Sequence, residues 1–269
     1  MTDAYYDLVD SDDARGEKFA ASEHVISTWG SDMQNAAPVS ALLVRAAEHC
    51  APRDDMRLSR VVVDLLGPVP VAGDLWVRAA VERPGRKIEL VGAEMLADGP
   101  DGTPRPVATA SAWRFQRSEA GPLPDSPAKP MRPVGEGRRR LPDDGAERTY
   151  IQSLDWRWLN DILNSARAEC WACPLVDLVA GEEMTPAQRL FSVADIANGM
   201  GSRLDTGRYT FLNTDLAVHL HRLPAGPWIG VRSENHYGDD GVGVSRGMLF
   251  DETGPVAAIQ QAQLVRRRQ

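Results

Sequence analysis

Residues 35–50 read NAAPVSALLVRAAEHC, and this stretch, together with the runs around it, decides the fold. Its apolar residues recur at positions i, i+3, i+4, i+7 and i+11, which lie on one face of a helix. They are Val39, Leu42, Leu43, Ala46 and Cys50. Asn35 is a suitable N-cap, and Pro38 is tolerated in a first helical turn. The stretch therefore predicts an amphipathic helix with one buried face.

Strand-like runs surround this helix. FAASEHVISTWG precedes it, and four runs rich in β-branched residues follow it between turn signals. These are SRVVVDLLGPV (59–69), DLWVRAAVER (74–83), KIELVGAEML (87–96) and PVATASAWRF (106–115). The first part of the chain is therefore expected to pack one helix against antiparallel strands.

The second part of the chain repeats this order. TYIQSLDWRW and SARAECWA predict strands, and TPAQRLFSVADIANGMGSRL (185–204) predicts a helix, where Thr185 and Gln188 fit a capping box. Four strand-like runs then follow. They are YTFLNTDLAVHLHRL (209–223), PWIGVRSENHY (227–237), GVGVSRGMLF (241–250) and PVAAIQQAQLV (255–265). The last run begins with the same PVA as the run at 106, 149 residues earlier, which indicates a duplication.

A proline-rich segment separates the two parts. Residues 117–148 hold six prolines and almost no large apolar residue, a composition typical of a surface linker. The prediction is an N-terminal half over 17–116, the linker over 117–148, and a C-terminal half over 149–269 that carries the site.

Composition excludes several classes of protein. The 269 residues carry a formal net charge of −8, which disfavours nucleic acid or an anionic membrane as the main partner. No run of 18 apolar residues occurs, so no transmembrane helix is expected, and the acidic start does not resemble a signal peptide. We expect a soluble, cytoplasmic protein.

The cysteines and histidines do not predict a metal site. Cys170 and Cys173 form a single C-x-x-C in a strand-like run, where i and i+3 lie too far apart for a disulfide, and no second pair exists for zinc. They are expected to be packing thiols in a reducing compartment. His219, His221 and His236 lack a carboxylate or cysteine in a recognisable arrangement. The one G-x-S-x-G, residues 243–247, lies inside a strand-like run and not at the strand-to-helix turn of a serine hydrolase. No G-x-G-x-x-G or P-loop occurs, so we expect neither a metal nor a cofactor.

A helix followed by a curled antiparallel sheet is the plan of a hotdog domain, and two in tandem predict an α+β double hotdog. The sequence resembles the double-hotdog acyl-CoA thioesterases of the type II bacterial class, in particular their actinobacterial branch. The phrases that carry the likeness are residues 59–96 in the first half, and LVAGEEMTPAQRLFSVADIANGM (178–200), NTDLAVHLHRLPAGPWIG (213–230) and GPVAAIQQAQLVR (254–266) in the second.

The resemblance implies hydrolysis of fatty acyl-CoA without a covalent intermediate. Aligned by these phrases, the residues that hold the water are Asp195, Thr214 and Gln261. The first half would be catalytically silent and would form part of the substrate pocket, in a homo-oligomer. In many relatives a His-Gly-Gly type segment leads into the first-half helix, where this chain reads Gln34-Asn35-Ala36. For this reason the resemblance assigns no substrate-binding residue.

Without the family resemblance, each of these three residues has more than one interpretation. Asp195 lies on a helix that is apolar nearly all round, so it is either a buried base with a raised pKa or part of a polar stripe that reaches solvent. Alternation places Thr214 on the apolar face of its strand, where it is either a site hydroxyl or simply a strand former. For Gln261 the alternation leaves the face undecided, because Gln260 lies on an equally semi-apolar one.

Two alternatives to a hydrolase remain open. A hotdog hydratase or dehydratase would need an Asp–His pair, and no histidine occurs between His49 and His219. A non-catalytic acyl-CoA or lipid-binding protein on the same scaffold is the second alternative. The arginine runs 138–140 and 266–268 are either solvated or attract the phosphates of CoA.

Overall fold

The computed structural model describes residues 3–12, 14–99, 102–124, 126–139, 149–161, 165 and 167–268. It contains three α-helices, α1 (Ala36–His49), α2 (Pro186–Ala194) and α3 (Ile196–Met200), within that part of the chain. The predicted caps are present. The Asn35 side chain accepts a hydrogen bond from the Ala37 N–H, and Thr185 and Gln188 form a complete capping box. Local sequence therefore fixes where the first two helices begin.

Seventeen strands make up the rest of the regular structure in the described residues. In the first part of the chain they are β1 (Ala4–Asp12), β2 (Gly16–Ala21), β3 (Ile26–Ser27), β4 (Gly30–Gln34), β5 (Met56–Leu65), β6 (Asp74–Arg83), β7 (Ile88–Asp98) and β8 (Pro104–Gln116). The others are β9 (Arg138–Arg139), β10 (Leu154–Trp158), β11 (Ala168–Pro174), β12 (Asp177–Val179), β13 (Tyr209–Asn213), β14 (Asp215–Leu220), β15 (Ile229–Tyr237), β16 (Val242–Asp251) and β17 (Gly254–Arg267).

All of these strands except β3 and β4 belong to one sheet. Its order is β12-β1-β2-β6-β7-β8-β5-β14-β17-β16-β15-β11-β10-β9, with β13 also paired to β17. The two parts of the chain meet in the middle of the sheet, where β5 pairs antiparallel with β14. They meet again at one edge, where β12 pairs in parallel with β1. The sheet is therefore continuous across both parts of the chain.

The helices cover the core face of this sheet and touch each other. Helix α1 packs on β6, β7 and β8, helix α2 packs on β11 and β15, and α1 lies against α2. Half-buried polar contacts join the two parts at this helix pair. The Glu48 carboxylate accepts from the Thr185 hydroxyl and the Gln188 amide at 2.9 and 2.8 Å. The start of α2 is thereby tied to the end of α1.

The structure corrects four of the local predictions. The helix predicted over 185–204 is interrupted at Asp195 and ends at Met200. The strand-like runs at 19–30 and 149–158 each include a short 3-10 helix, Glu23–Val25 and Tyr150–Ser153. In each case, tertiary contacts decide the backbone where local propensity is ambiguous.

The third correction concerns the proline-rich segment. It is not only a surface linker, because Met131 is buried against Leu159, Trp171 and Phe250. Strand β9 also extends the sheet by pairing with β10. A segment poor in apolar residues thus contributes one buried side chain and an edge strand. Residues 125 and 140–148 of the predicted linker lie outside the described residues.

The fourth correction concerns the strand that carries Thr214. Against β17, Asn213 pairs with Gln263 and Ala217 pairs with Gln260, so the register shifts by one residue between β13 and β14. Such a bulge reverses the alternation of faces beyond it. Thr214 lies in the bulge and is exposed, not on the apolar core face that uninterrupted alternation predicts.

None of the helices in the described part of the chain is long and apolar enough to cross a membrane. The three cysteines carry free thiols. Cys170 is buried on β11, where its thiol contacts the Met200 sulfur at 3.1 Å.

Candidate active site

Asp195 lies at the break between α2 and α3. Its carbonyl oxygen accepts from the Asn198 N–H at 3.3 Å and from the Gln261 side-chain amide at 3.4 Å, which holds the tightened turn in place. The side chain is 7% exposed and forms part of the wall of a cavity. The interruption of the helix therefore directs one buried carboxylate toward an internal space.

Two side-chain amides hold one oxygen of this carboxylate. Asn213 Nδ2 donates to Asp195 Oδ1 at 2.7 Å, and Gln261 Nε2 donates to the same oxygen at 2.8 Å. Within the described residues, no protein group donates to Oδ2. The carboxylate is thus fixed through Oδ1, and Oδ2 is available to a bound molecule.

Burial dominates the ionisation of Asp195. Loss of solvation raises the pKa of its carboxyl from 3.8 to about 6, and the hydrogen bonds from Asn213 and Gln261 partly oppose this rise. A carboxylate with a pKa near 6 is ionised at pH 7 and is still basic enough to accept a proton. This is the range expected for a general base.

Gln261 and Gln263 lie on the inner face of β17, whereas Gln260 is exposed. The register of the strand thus decides the face that alternation left open. Because the amide nitrogen of Gln261 donates to the carboxylate, its carbonyl oxygen Oε1 points elsewhere, and it is buried without a hydrogen-bond partner. Such an oxygen is an acceptor site for a small donor such as water.

The structure brings Asp195 and Gln261 together and places Thr214 apart from them. Thr214 lines the same cavity, but within the described residues its hydroxyl donates to neither side chain. The third contact comes from Asn213, which reasoning from the sequence missed. Its neighbourhood in the sequence contained a signal, because the polar triplet Asn213-Thr214-Asp215 interrupts an otherwise apolar run.

The cavity beside Asp195 has a volume of about 630 Å³. Five aromatic side chains line it, Trp29, Tyr150, Trp156, Trp158 and Phe211. The Trp156 and Trp158 rings stack at 5.5 Å, and Trp29 meets Phe211 edge to face at 4.9 Å. Both parts of the chain contribute to the wall, so the cavity depends on their association.

Arg268 is the charged residue at the opening of this cavity. Its guanidinium lies over the Trp29 ring at 5.9 Å, and the residue is exposed. No ion pair of Arg268 with a carboxylate occurs among the described residues. A positive charge is therefore available next to an apolar cavity.

The corresponding position of the first half carries the opposite charge. Asp195 follows the N-cap Thr185 by ten residues, and Arg45 follows the N-cap Asn35 by ten. Arg45 is buried and donates to Glu17 at 2.6 Å and to Glu182 at 2.7 Å. The first half therefore has a structural ion pair in place of a basic carboxylate.

The described residues contain no group of three histidine, cysteine, aspartate or glutamate side chains placed to hold a metal ion. His221 Nε2 donates to the Pro255 carbonyl, and His236 lies near Glu234.

Two family models match the chain. The acyl-CoA thioesterase N-terminal domain matches residues 25–115, and the acyl-CoA thioesterase C-terminal domain matches residues 118–265. The chain belongs to the acyl-CoA thioesterase family. This membership supports a thioesterase activity in general terms. No curated protein sequence matches the chain.

Solved structures show the same fold as this thioesterase-family chain. A proposed thioesterase II from Thermobifida fusca is similar over 97% of this chain and 95% of its own, with a TM-score of 0.75 and 18% identity. A protein of unknown function with a hot dog fold from Alicyclobacillus acidocaldarius reaches 0.72 at 15% identity, over 96% and 95% of the chains. An acyl-CoA thioesterase II from Mycobacterium marinum reaches 0.65 at 12% identity, over 97% and 95%. The predicted double-hotdog fold is confirmed.

Proposed function

We propose that this protein hydrolyses the thioester of a fatty acyl-CoA by direct attack of water, with Asp195 as the general base. The observation that carries the proposal is the carboxylate itself. It is buried in the wall of an apolar cavity, fixed at Oδ1 by two amides, and open at Oδ2. A thioester carbonyl is already electrophilic, so a water molecule held in place beside a base is sufficient for attack.

The proposed step is balanced in atoms and protons. A water molecule donates one hydrogen bond to Asp195 Oδ2 and the other to the unpartnered Oε1 of Gln261. As the water oxygen bonds to the thioester carbon, the carbonyl π electrons move onto the carbonyl oxygen and Oδ2 takes a proton from the water. The C=O bond then re-forms as the carbon–sulfur bond breaks, and the proton passes from Oδ2 to the departing sulfur. The products are a carboxylic acid and CoA thiol, and Asp195 is again ionised.

The cavity is suited to the two ends of such a substrate. The aromatic rings around Trp156 and Phe211 give an apolar surface for the acyl group. Arg268 at the opening is placed to meet a phosphate of CoA. None of the histidines is among the cavity-lining residues that the structure describes, and this supports hydrolysis over the Asp–His chemistry of a hydratase.

The two halves have different roles in this proposal. The half over 149–269 supplies Asp195, Asn213 and Gln261. The half over 17–116 supplies part of the cavity wall, and it has Arg45 where the other half has Asp195. Thr214, which the family resemblance places in the catalytic set, is proposed to contact substrate at the opening.

Gln261→Ala is expected to lower kcat/KM by about 10–100-fold, because the variant removes both a donor to Asp195 and the acceptor for water. The loss should be greatest at low pH, since fewer donors raise the pKa of Asp195 further. Initial rates of CoA-thiol release at pH 5.5 and 8 measure this. Gln260→Ala is the matched control, because Gln260 is the exposed neighbour on the same strand. Equal losses in the two variants would contradict the role of Gln261.

The proposed function is tested with wild-type protein and a panel of acyl-CoAs of increasing chain length. Release of CoA thiol is followed optically, and binding of the same compounds is followed by calorimetry. We expect saturable turnover for at least one acyl length. Binding without turnover across the panel would show a non-catalytic acyl-CoA-binding protein and would refute the hydrolase.

A further inference from the structure

A chain of four side chains ends on the Asp195 carboxylate. Asn213 Nδ2 donates to Asp195 Oδ1, and Asn198 Nδ2 donates to Asn213 Oδ1 at 3.1 Å. Gln263 Nε2 in turn donates to Asn198 Oδ1. The three amides come from β13, α3 and β17, so one helix and two strands meet at one line of hydrogen bonds.

The Asp195 carboxylate, at the end of this row of hydrogen bonds, determines which way each amide group faces. An ionised carboxylate only accepts hydrogen bonds, so Asn213 must present its NH2 group to Asp195. Its carbonyl oxygen then faces Asn198, which must present an NH2 group as well. By the same reasoning, Gln263 must present an NH2 group to the oxygen of Asn198. Every amide dipole in the row therefore points its positive end toward Asp195.

We propose that Asn198 and Gln263 are positioning residues that hold the Asn213 amide with its N–H group on Asp195 Oδ1. The role in catalysis rests on the proposed function. The role in stabilising the ionised carboxylate does not, because it follows from the hydrogen bonds alone. Asn213 Nδ2 also donates to the Asp215 backbone carbonyl at 3.1 Å. Without Asn198 and Gln263 the nitrogen keeps these two acceptors, but the amide oxygen loses its donor and the amide is held at one end only.

The burial and contacts of Asn198 and Gln263 indicate that these two side chains have a specific role. Asn198 and Gln263 are both buried, and Gln263 Oε1 has no hydrogen-bond partner in the described residues, so this side chain is held through its nitrogen. Gly243 pairs with Gln263 across the sheet. A Cβ atom at position 243 would lie 3.1 Å from Gln263 Oε1, so the glycine leaves room for the Gln263 side chain. The Asn235 amide donates to the Asn198 carbonyl at 2.9 Å and anchors α3.

Three other ionisable groups lie near Asp195, and two of them are hydrogen-bonded to the backbone. The Tyr150 hydroxyl donates to the Ser192 carbonyl at 2.9 Å, and the Asp215 carboxylate accepts from the Ala262 N–H at 2.6 Å. Arg268 lies at the opening of the cavity. A change at Gln263 leaves all three groups in place, so its effect on Asp195 reports on the row of amides.

The test replaces Gln263 by a side chain of the same shape that cannot donate when ionised. In Gln263→Glu, Asn198 turns its NH2 group toward the new carboxylate, and two oxygens then face each other between Asn198 and Asn213. The apparent pKa of the acidic limb in the pH profile of kcat/KM is expected to rise by about one unit. At pH values below this pKa, kcat/KM then falls roughly ten-fold. Gln263→Leu, which adds no charge, is expected to move the limb in the same direction.

Gln260→Glu is the matched control, because it adds the same charge to the exposed face of the same strand. It should leave the limb where it is. The titration of the Asp195 carboxyl is also followed by 13C NMR, which needs no turnover. An unchanged Asp195 titration in both Gln263 variants would overturn the inference. Absence of turnover in the wild type would overturn only the proposed function, and the NMR titration would still decide the role of the amides.

Discussion

Asp195→Asn is expected to lower kcat/KM by about 10³-fold at pH 8, which is within the range for loss of a general base. The Asn side chain has nearly the same shape, and its Oδ1 can accept the same two amide hydrogen bonds from Asn213 and Gln261. Its NH2 group replaces Oδ2 and cannot take a proton from water. The variant should therefore bind acyl-CoA with little change in KM while turnover is lost.

The same variant is expected to be more stable than the wild type above pH 6. Because folding raises the pKa of Asp195 from 3.8 to about 6, the folded protein holds this proton more tightly than the unfolded chain does. Stability from this group is therefore present at low pH and is lost as the pH rises through 6. At pH 8 the cost of the buried charge is about 3 kcal/mol, and the neutral Asn avoids it. Thermal unfolding at pH 8 and pH 3 measures the difference, which should vanish at pH 3, below both pKa values.

Asp215→Asn is the matched control for the activity measurement. Asp215 is half-buried on β14, and its pKa is also raised by burial, but its carboxylate accepts from the Ala262 N–H and does not line the cavity. Its substitution should leave activity within a few-fold of wild type. Full activity in Asp195→Asn would contradict the assignment of the base.

Arg45→Met is expected to destabilise the fold by about 2–3 kcal/mol. Arg45 is buried on α1 and joins Glu17 of β2 to Glu182 before α2, so its loss leaves two carboxylates facing each other. Removal of one partner from a fully buried ion pair lowers the free energy of unfolding by more than this. Here the loss is smaller because both glutamates are about one-third exposed and regain some hydration. The midpoint of urea unfolding should fall accordingly.

The control for this change is Arg78→Met. Arg78 pairs with Glu94 at 2.6 Å on the surface of the sheet, where half of the arginine is exposed. An exposed pair of this kind contributes less than about 1 kcal/mol. Equal destabilisation by the two substitutions would show that the ion pairs of Arg45 stabilise the fold no more than an exposed surface pair does.

Much of this fold was accessible from sequence because its signals are local. The spacing of Val39, Leu42 and Leu43 predicts the first helix, and the capping box at Thr185 predicts the start of the second. The duplicated order of elements and the family phrases then predict the double hotdog. A carboxylate within an apolar helix also marks Asp195 as unusual, and its assignment to the site, which the family resemblance implies, stays a prediction.

The residues that complete the site depend on three-dimensional register. A one-residue bulge decides that Asn213 and not Thr214 reaches Asp195, and alternation cannot locate a bulge. The face of Gln261 was open for the same reason until pairing with β16 fixed it. The burial of Met131 in a proline-rich segment depends on contacts with Trp171 and Phe250, which lie far away in the sequence.

The pH dependence of kcat/KM for the wild-type protein is the most direct test that the buried carboxylate is the base. Only ionised Asp195 accepts a proton, so log kcat/KM should rise with unit slope through pH 5 and level off above an apparent pKa of about 6. An exposed aspartate would place this limb near pH 4. A profile that is flat between pH 5 and 8 would contradict the assignment of Asp195 as a base with a raised pKa.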